Sequence, residues 1–131
     1  MANNLVISEV NSLAVSGNFD LSKMIKPLQK ELFLLDTYIA GTMYIEDKSI
    51  FEDLKDGECL TLKREPKNRF DKKAILVLDN QKRKLGYVPE KDNAVFSRLM
   101  DGGKMLFCKV KGKEDMGLKM HVDIEIYLED F

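Results

Sequence analysis

Sulfur and imidazole ligands are scarce in this sequence, which carries only two cysteines, Cys59 and Cys108, and one histidine, His121, in 131 residues. A structural zinc site draws on about four such ligands in close pairs, so no metal or cofactor is expected. Both cysteines sit in apolar, strand-like sequence and read as small, reduced core residues rather than a redox pair. No run approaches the roughly 20 apolar residues that a membrane helix needs. The opening Met1-Ala2-Asn3-Asn4-Leu5 also lacks the basic and long apolar regions of a secretory signal. A cytoplasmic protein without membrane contact is the expectation. Repeats and low-complexity tracts are missing too, as are the common catalytic motifs. Gly102-Gly103-Lys104 lacks the upstream glycine and following Ser/Thr of a phosphate-binding loop, and no nucleophile elbow or spaced acid–base pair occurs, so an enzyme is not expected.

What is present is enough for one well-buried core. With 44% hydrophobic residues in 131, the chain suits one domain better than two. Its net charge of −1 hides an asymmetry. From Leu62 to Lys91, ten Lys and Arg face four acids, a net of +6, and the remainder carries −7. Polyanions are met through local patches rather than through net charge, so a basic surface survives the neutral total.

Asp20 is a plausible N-cap, and Leu21, Met24, Ile25, Leu28, Leu32 and Leu35 recur at the spacing of one helical face. Pro27 kinks such a helix or starts a shorter one. Residues 1–34 are therefore expected to be a partly helical arm, and 35–131 a β-rich domain. Leu34 to Ile45 reads as the first strand, with a bulge or close approach at Gly41. Ser49 to Gly57 reads as a short helix opened by a Ser49–Glu52 capping box. Cys59 to Arg64 alternates as a half-buried strand, and Ala74 to Leu78 and Lys84 to Val88 form a hairpin around Asp79-Asn80-Gln81. A second helix, capped by Asp92 or Asn93, places Val95, Phe96, Leu99 and Met100 on one face and ends at Gly102-Gly103. The last strands run Met105 to Lys111 and Leu118 to Leu128. In the second of them Met120, Val122, Ile124, Ile126 and Leu128 point inward, while Lys119, His121, Asp123, Glu125 and Tyr127 point outward. About six short strands with two short helices and few parallel crossovers suggest a mainly β fold, a small barrel.

The most specific local signal is Leu60-Thr61-Leu62-Lys63-Arg64-Glu65-Pro66-Lys67-Asn68-Arg69-Phe70-Asp71-Lys72-Lys73-Ala74-Ile75, followed by Leu85-Gly86-Tyr87-Val88-Pro89 and Asn93-Ala94. It resembles the HIRAN pattern, in which a strand ends in R-E-P-x-N-x-[YF]-D, continues to A-I or A-V, and precedes a G-Y-[IV]-P turn. Ala40-Gly41-Thr42-Met43-Tyr44 is similar to the family's glycine-containing first strand with its aromatic. The resemblance implies an OB-like or SH3-like β-barrel that binds single-stranded DNA, and capture of free 3′-hydroxyl DNA ends as in DNA repair and replication factors. It further implies that Tyr44 and Phe70 stack on bases, that Asp71 reads the hydroxyl and that Asn68 forms the turn or touches the backbone. Lys67, Arg69, Lys72 and Lys73 surround that turn and can neutralise phosphates, as can Arg64 just before it; Tyr87 completes the candidate nucleic-acid-binding set. Phe70 stands where several DNA-end binders carry tyrosine, Arg69 where proline is frequent, and Glu90 where some relatives place lysine.

The residues also allow other roles. Arg64, Glu65, Asn68 and Asp71 can brace a turn, Tyr44 and Tyr87 can be half-buried barrel residues, and the lysines can be an ordinary solvated face. The outward row Lys119, His121, Asp123 and Glu125 can in principle bind a metal or move protons, although alternation alone produces such a row. The alternative to DNA binding is a protein-interaction or homo-oligomerisation module acting through the amphipathic arm, and a hydrolase acting on nucleic acid ranks behind both.

Overall fold

A computed structural model describes residues 30–130. Strands β1 (Lys30–Tyr38), β2 (Cys59–Arg64), β3 (Ile75–Leu78) and β4 (Lys84–Tyr87) precede helix α1 (Glu90–Asp101), and β5 (Met105–Asp115) and β6 (Met120–Asp130) follow it. They form one six-stranded antiparallel sheet in the order β1-β6-β5-β2-β3-β4. The fold is mainly β, as the alternation predicts, but the sheet does not close into a full barrel. Its edges, β1 and β4, approach where the chain leaving β1 makes one bridge. There Ala40 N–H donates to the Tyr87 carbonyl at 2.7 Å and Tyr87 N–H to the Ala40 carbonyl at 2.9 Å.

That crossing explains a glycine. Gly86 has φ 152°, and a Cβ there would collide with the Ala40 carbonyl oxygen and the Ile39 Cγ2. Only a residue without a side chain lets the two edges meet. The inward sides of the strands supply the core: Leu60 and Leu62 from β2, Ile75 and Val77 from β3, Cys108 and Val110 from β5, and Val122, Ile124 and Ile126 from β6. Phe51 and Leu54 seal it from the long β1–β2 connection, and Phe96 of α1 from another side. Burial on this scale is the main stabilising term, at about 25 cal/mol per Å² of apolar surface.

Several local expectations are corrected. Leu32 and Leu35 belong to β1 rather than to a helix, because backbone pairing with β6 outweighs a helical spacing that the strand equally permits. The rest of the supposed arm, residues 1–29, lies outside the described residues. The first strand ends at Tyr38, before Gly41, whose left-handed φ of 78° instead opens a 3-10 turn, Thr42–Tyr44. The helix expected after Ser49 is a 3-10 turn of four residues, Lys48–Phe51, capped by Asp47, whose carboxylate accepts from Ser49 N–H at 3.1 Å. Glu52 stands at its C-terminal end, so the capping box does not form. In α1, Asn93, Phe96 and Ser97 are the buried positions and Val95 is 62% exposed. The helix begins at Glu90, two residues before the expected cap, and the buried Asn93 on its inner face is held by Asp71 of the β2–β3 connection. Cys108 is buried, and burial pushes its thiol pKa up, whereas Cys59 lies on the outer, exposed side of β2.

The final hairpin is longer than its sequence pattern suggests. β5 runs to Asp115, with Lys111 unpaired at a bulge between Val110 and Gly112, and the inward alternation of β6 holds as expected.

Candidate nucleic-acid interface

The strand β2 ends at Arg64, and the chain then makes a loop of about ten residues before β3. Polar side chains hold this loop in shape. Asn68 Oδ1 accepts from the N–H groups of Phe70 at 2.8 Å and Asp71 at 3.0 Å, which is the local backbone capture that favours Asn in turns. Its amide donates to Glu65 Oε1 at 2.6 Å, and the Tyr87 hydroxyl donates to the same oxygen at 2.9 Å. These donors, Asn68 first, hold the Glu65 carboxyl below its usual range. Asp71 Oδ1 accepts from Lys73 N–H at 2.9 Å and Oδ2 from the buried amide of Asn93 at 2.7 Å. The Asn93 bond, then the Lys73 N–H, lowers the Asp71 pKa. Helix α1 therefore holds the loop through one amide.

Arg64 clamps the other side. Its guanidinium donates to the carbonyls of Ala74 at 2.6 Å and Lys72 at 2.9 Å, and forks onto Asp101 at 2.8 and 3.2 Å. With its side chain 14% exposed and four of its five N–H donors engaged, Arg64 is a structural brace in this arrangement. The bracing alternative thus accounts for the recorded bonds of Arg64, Glu65, Asn68 and Asp71.

Against this hydrogen-bonded frame stand two rings that the described residues leave largely uncovered. Phe70 is 93% exposed and Tyr44 is 81% exposed. Both line one groove of about 880 Å³ between the loop, the Thr42–Tyr44 turn, β4 and the start of α1. Lys67, Asn68, Arg69, Asp71 and Tyr87 also line it, whereas Arg64, Lys72 and Lys73 do not. Lys72 and Lys73 are exposed on the loop's far limb. The structure thus brings together seven of the ten sequence-predicted residues. Tyr87 is half-buried, with Lys84 Nζ 4.5 Å from its ring centroid and 3.1 Å from its hydroxyl.

Sequence reasoning missed Lys84 and Asn93 as contributors to the groove. By sequence Lys84 belongs to a basic hairpin tip, Lys82-Arg83-Lys84, and Asn93 to a helix cap; only the sheet and helix packing carries them to the groove wall. Of the other basic residues at that tip, Arg83 is engaged by the buried Asp79 carboxylate at 2.7 Å. Part of the +6 segment is therefore neutralised internally, and the exposed cations that line the groove are Lys67, Arg69 and Lys84, beside the carboxylates of Glu65, Asp71 and Glu90. The row on β6 makes a His121 Nε2–Asp123 Oδ1 contact at 2.9 Å. Among the described residues no group of three or more His, Cys, Asp or Glu is arranged to hold a metal ion, and no helix is long and apolar enough to cross a membrane.

A braced loop carrying exposed aromatic rings over a groove lined by both cations and carboxylates is the arrangement of a binding module. Residues 32–129 match the HIRAN domain model, and the chain belongs to the HIRAN domain family, in general DNA-binding modules. The fold is similar to a crystal structure of a protein from Lactobacillus plantarum, at 26% identity and a TM-score of 0.73, over 79% of this chain and 99% of that one. It is also similar to the crystal structure of the HIRAN domain of human HLTF, at 17% identity and a TM-score of 0.60, over 76% of this chain and 78% of that one. No curated protein matches the chain.

Proposed function

We propose that this protein binds single-stranded DNA in the Tyr44–Phe70 groove, at a free 3′-hydroxyl end, without catalysing a reaction. The observation that carries the reading is the pair of exposed rings lining one groove. A ring left in water at 93% exposure gains nothing for folding, while a base stacked on it contributes about 1–3 kcal/mol to binding. Lys67 and Arg69 meet the phosphates, with Lys72 and Lys73 adding longer-range attraction.

Asp71 supplies the end preference. Each of its oxygens accepts one internal bond, and a carboxylate has about four acceptor sites, so capacity for a hydroxyl donor remains. Its negative charge repels an internal or terminal phosphate and favours a terminal hydroxyl. The experiment is a titration of oligonucleotides with 3′-hydroxyl and 3′-phosphate ends at two salt concentrations. Tighter binding of the hydroxyl end, weakened in Phe70→Ala and levelled in Asp71→Ala, supports the reading. Equal binding of both ends by the unaltered protein refutes end capture, and the salt slope separately counts phosphate contacts. Sites of this kind serve DNA repair or replication.

A further inference from the structure

We propose that a small cavity beside the groove is a second subsite, taking the next nucleotides of a single DNA strand as it leaves the aromatic groove; this rests on the single-strand reading above. The cavity, of about 220 Å³, shares Ala40 and Gly41 with the groove as lining residues. The Thr42–Tyr44 turn separates them, presenting Tyr44 to the groove and Met43, 49% exposed, to the cavity. On the ridge that this turn makes, Gly41 lines both sides and has no side chain to block a strand passing over it.

Beyond that ridge lies another aromatic platform. Tyr38 and His121 stack with ring centroids 5.9 Å apart and an interplanar angle of 27°. Both line the cavity. Cations stand on two sides: Lys119 lines the cavity and makes no ion pair among the described residues, and Lys91 Nζ lies 5.6 Å from the Tyr38 ring centroid. Two neighbouring carboxylates already have partners. Asp123 contacts His121 at 2.9 Å, and Asp92 accepts from Thr37 Oγ1 at 2.7 Å and faces Lys91 at 3.6 Å. Glu114 stands opposite His121 in the β5–β6 register and makes no ion pair among the described residues. Single strands held by OB folds span about 4–16 nucleotides over successive stacking platforms, more than one pair of rings can grip. The Tyr38–His121 pair, one glycine away, provides the next platform, and Lys119 the phosphate contact beside it.

The test measures affinity of the full chain for 3′-hydroxyl oligothymidylates of two, four, six and eight nucleotides. The unaltered protein should gain affinity from two to six nucleotides. His121→Ala and Lys119→Ala should bind the dinucleotide as the unaltered protein does and lose about tenfold of the gain with length. Lys119→Ala should also reduce the salt slope for the longer strands by about 0.7, the value for one single-strand phosphate contact. A full length gain in both variants, or an equal loss at every length, overturns the second subsite while Phe70-dependent dinucleotide binding stands. Failure of the unaltered protein to bind any of the strands overturns both readings together.

Discussion

Two sets of aromatic residues sit on opposite terms with solvent. On the outer side of the sheet, Tyr127 stacks with Phe107 at 5.4 Å and meets Phe33 edge-on at 5.8 Å. Lys109 lies 4.7 Å from the Tyr127 ring centroid, and Glu31 holds it at 2.8 Å. These rings, though part-exposed, cover one another across three strands, which is how a sheet face satisfies large residues. In the groove, Tyr44 and Phe70 stack on no other ring among the described residues, and the loop below them is fixed by bonds that leave both exposed. Exposure alone does not mark a site. A bare ring on a rigid, braced support does.

The contrast can be broken at its foundation. Gly86→Ala places a Cβ against the Ala40 backbone and should cost about 3 kcal/mol or more, combining overpacking with backbone strain. Chemical denaturation should show the loss, and a variant that unfolds at the original denaturant midpoint would mean that the β1–β4 edge contact is dispensable. Arg64→Ala removes the charged donors from Ala74, Lys72 and Asp101 and should destabilise by about 1.5–3 kcal/mol. Because the loop loses its clamp, DNA affinity should fall along with the melting temperature.

Phe70→Ala reverses that pattern. Affinity for single strands should fall by about 1–3 kcal/mol with the melting temperature unchanged, since the ring packs on little. Tyr127→Ala gives the mirror image: a stability loss that includes about 0.5–1.5 kcal/mol from the aromatic pairs, with DNA affinity unchanged. If Tyr127→Ala weakens binding as much as Phe70→Ala does, the two aromatic sets are not functionally distinct.

The smallest effect concerns pH. Glu65 and Asp71 have folded-state pKa values lowered from 4.5 and 3.8. A carboxyl whose folded value is depressed contributes stability that is present in full above its unfolded pKa and lost as pH falls through the folded one. Melting temperature should therefore hold from neutrality to about pH 5 and decline below the ordinary carboxylate range. Asn93→Ala, which removes the largest cause of the Asp71 shift, should make the decline shallower in calorimetric scans between pH 5 and pH 3.

The elements most legible in the sequence were those whose pattern has one physical solution. The β6 alternation from Met120 to Leu128 admits only a half-buried strand, and the Asn68–Asp71 loop carries turn chemistry that acts over three residues. Patterns with two solutions misled. Leu32 and Leu35 fit a helical face and a strand equally well, and pairing with β6 chose the strand. Cys59 looked internal from its apolar neighbours, but strand parity sends it outward while Leu60 and Leu62 fill the core.

The sequence by itself determined a mainly β fold, because side-chain alternation acts over a few residues, while its resemblance to the HIRAN pattern pointed to the family and to the loop that bears Phe70. Tertiary structure decided which charges remain available. Arg64 is spent on Asp101, 37 residues away, and Arg83 on the buried Asp79, while Tyr44, Lys84 and Asn93 converge on the groove from separate elements. Such pairings depend on distances in space that no local spacing encodes.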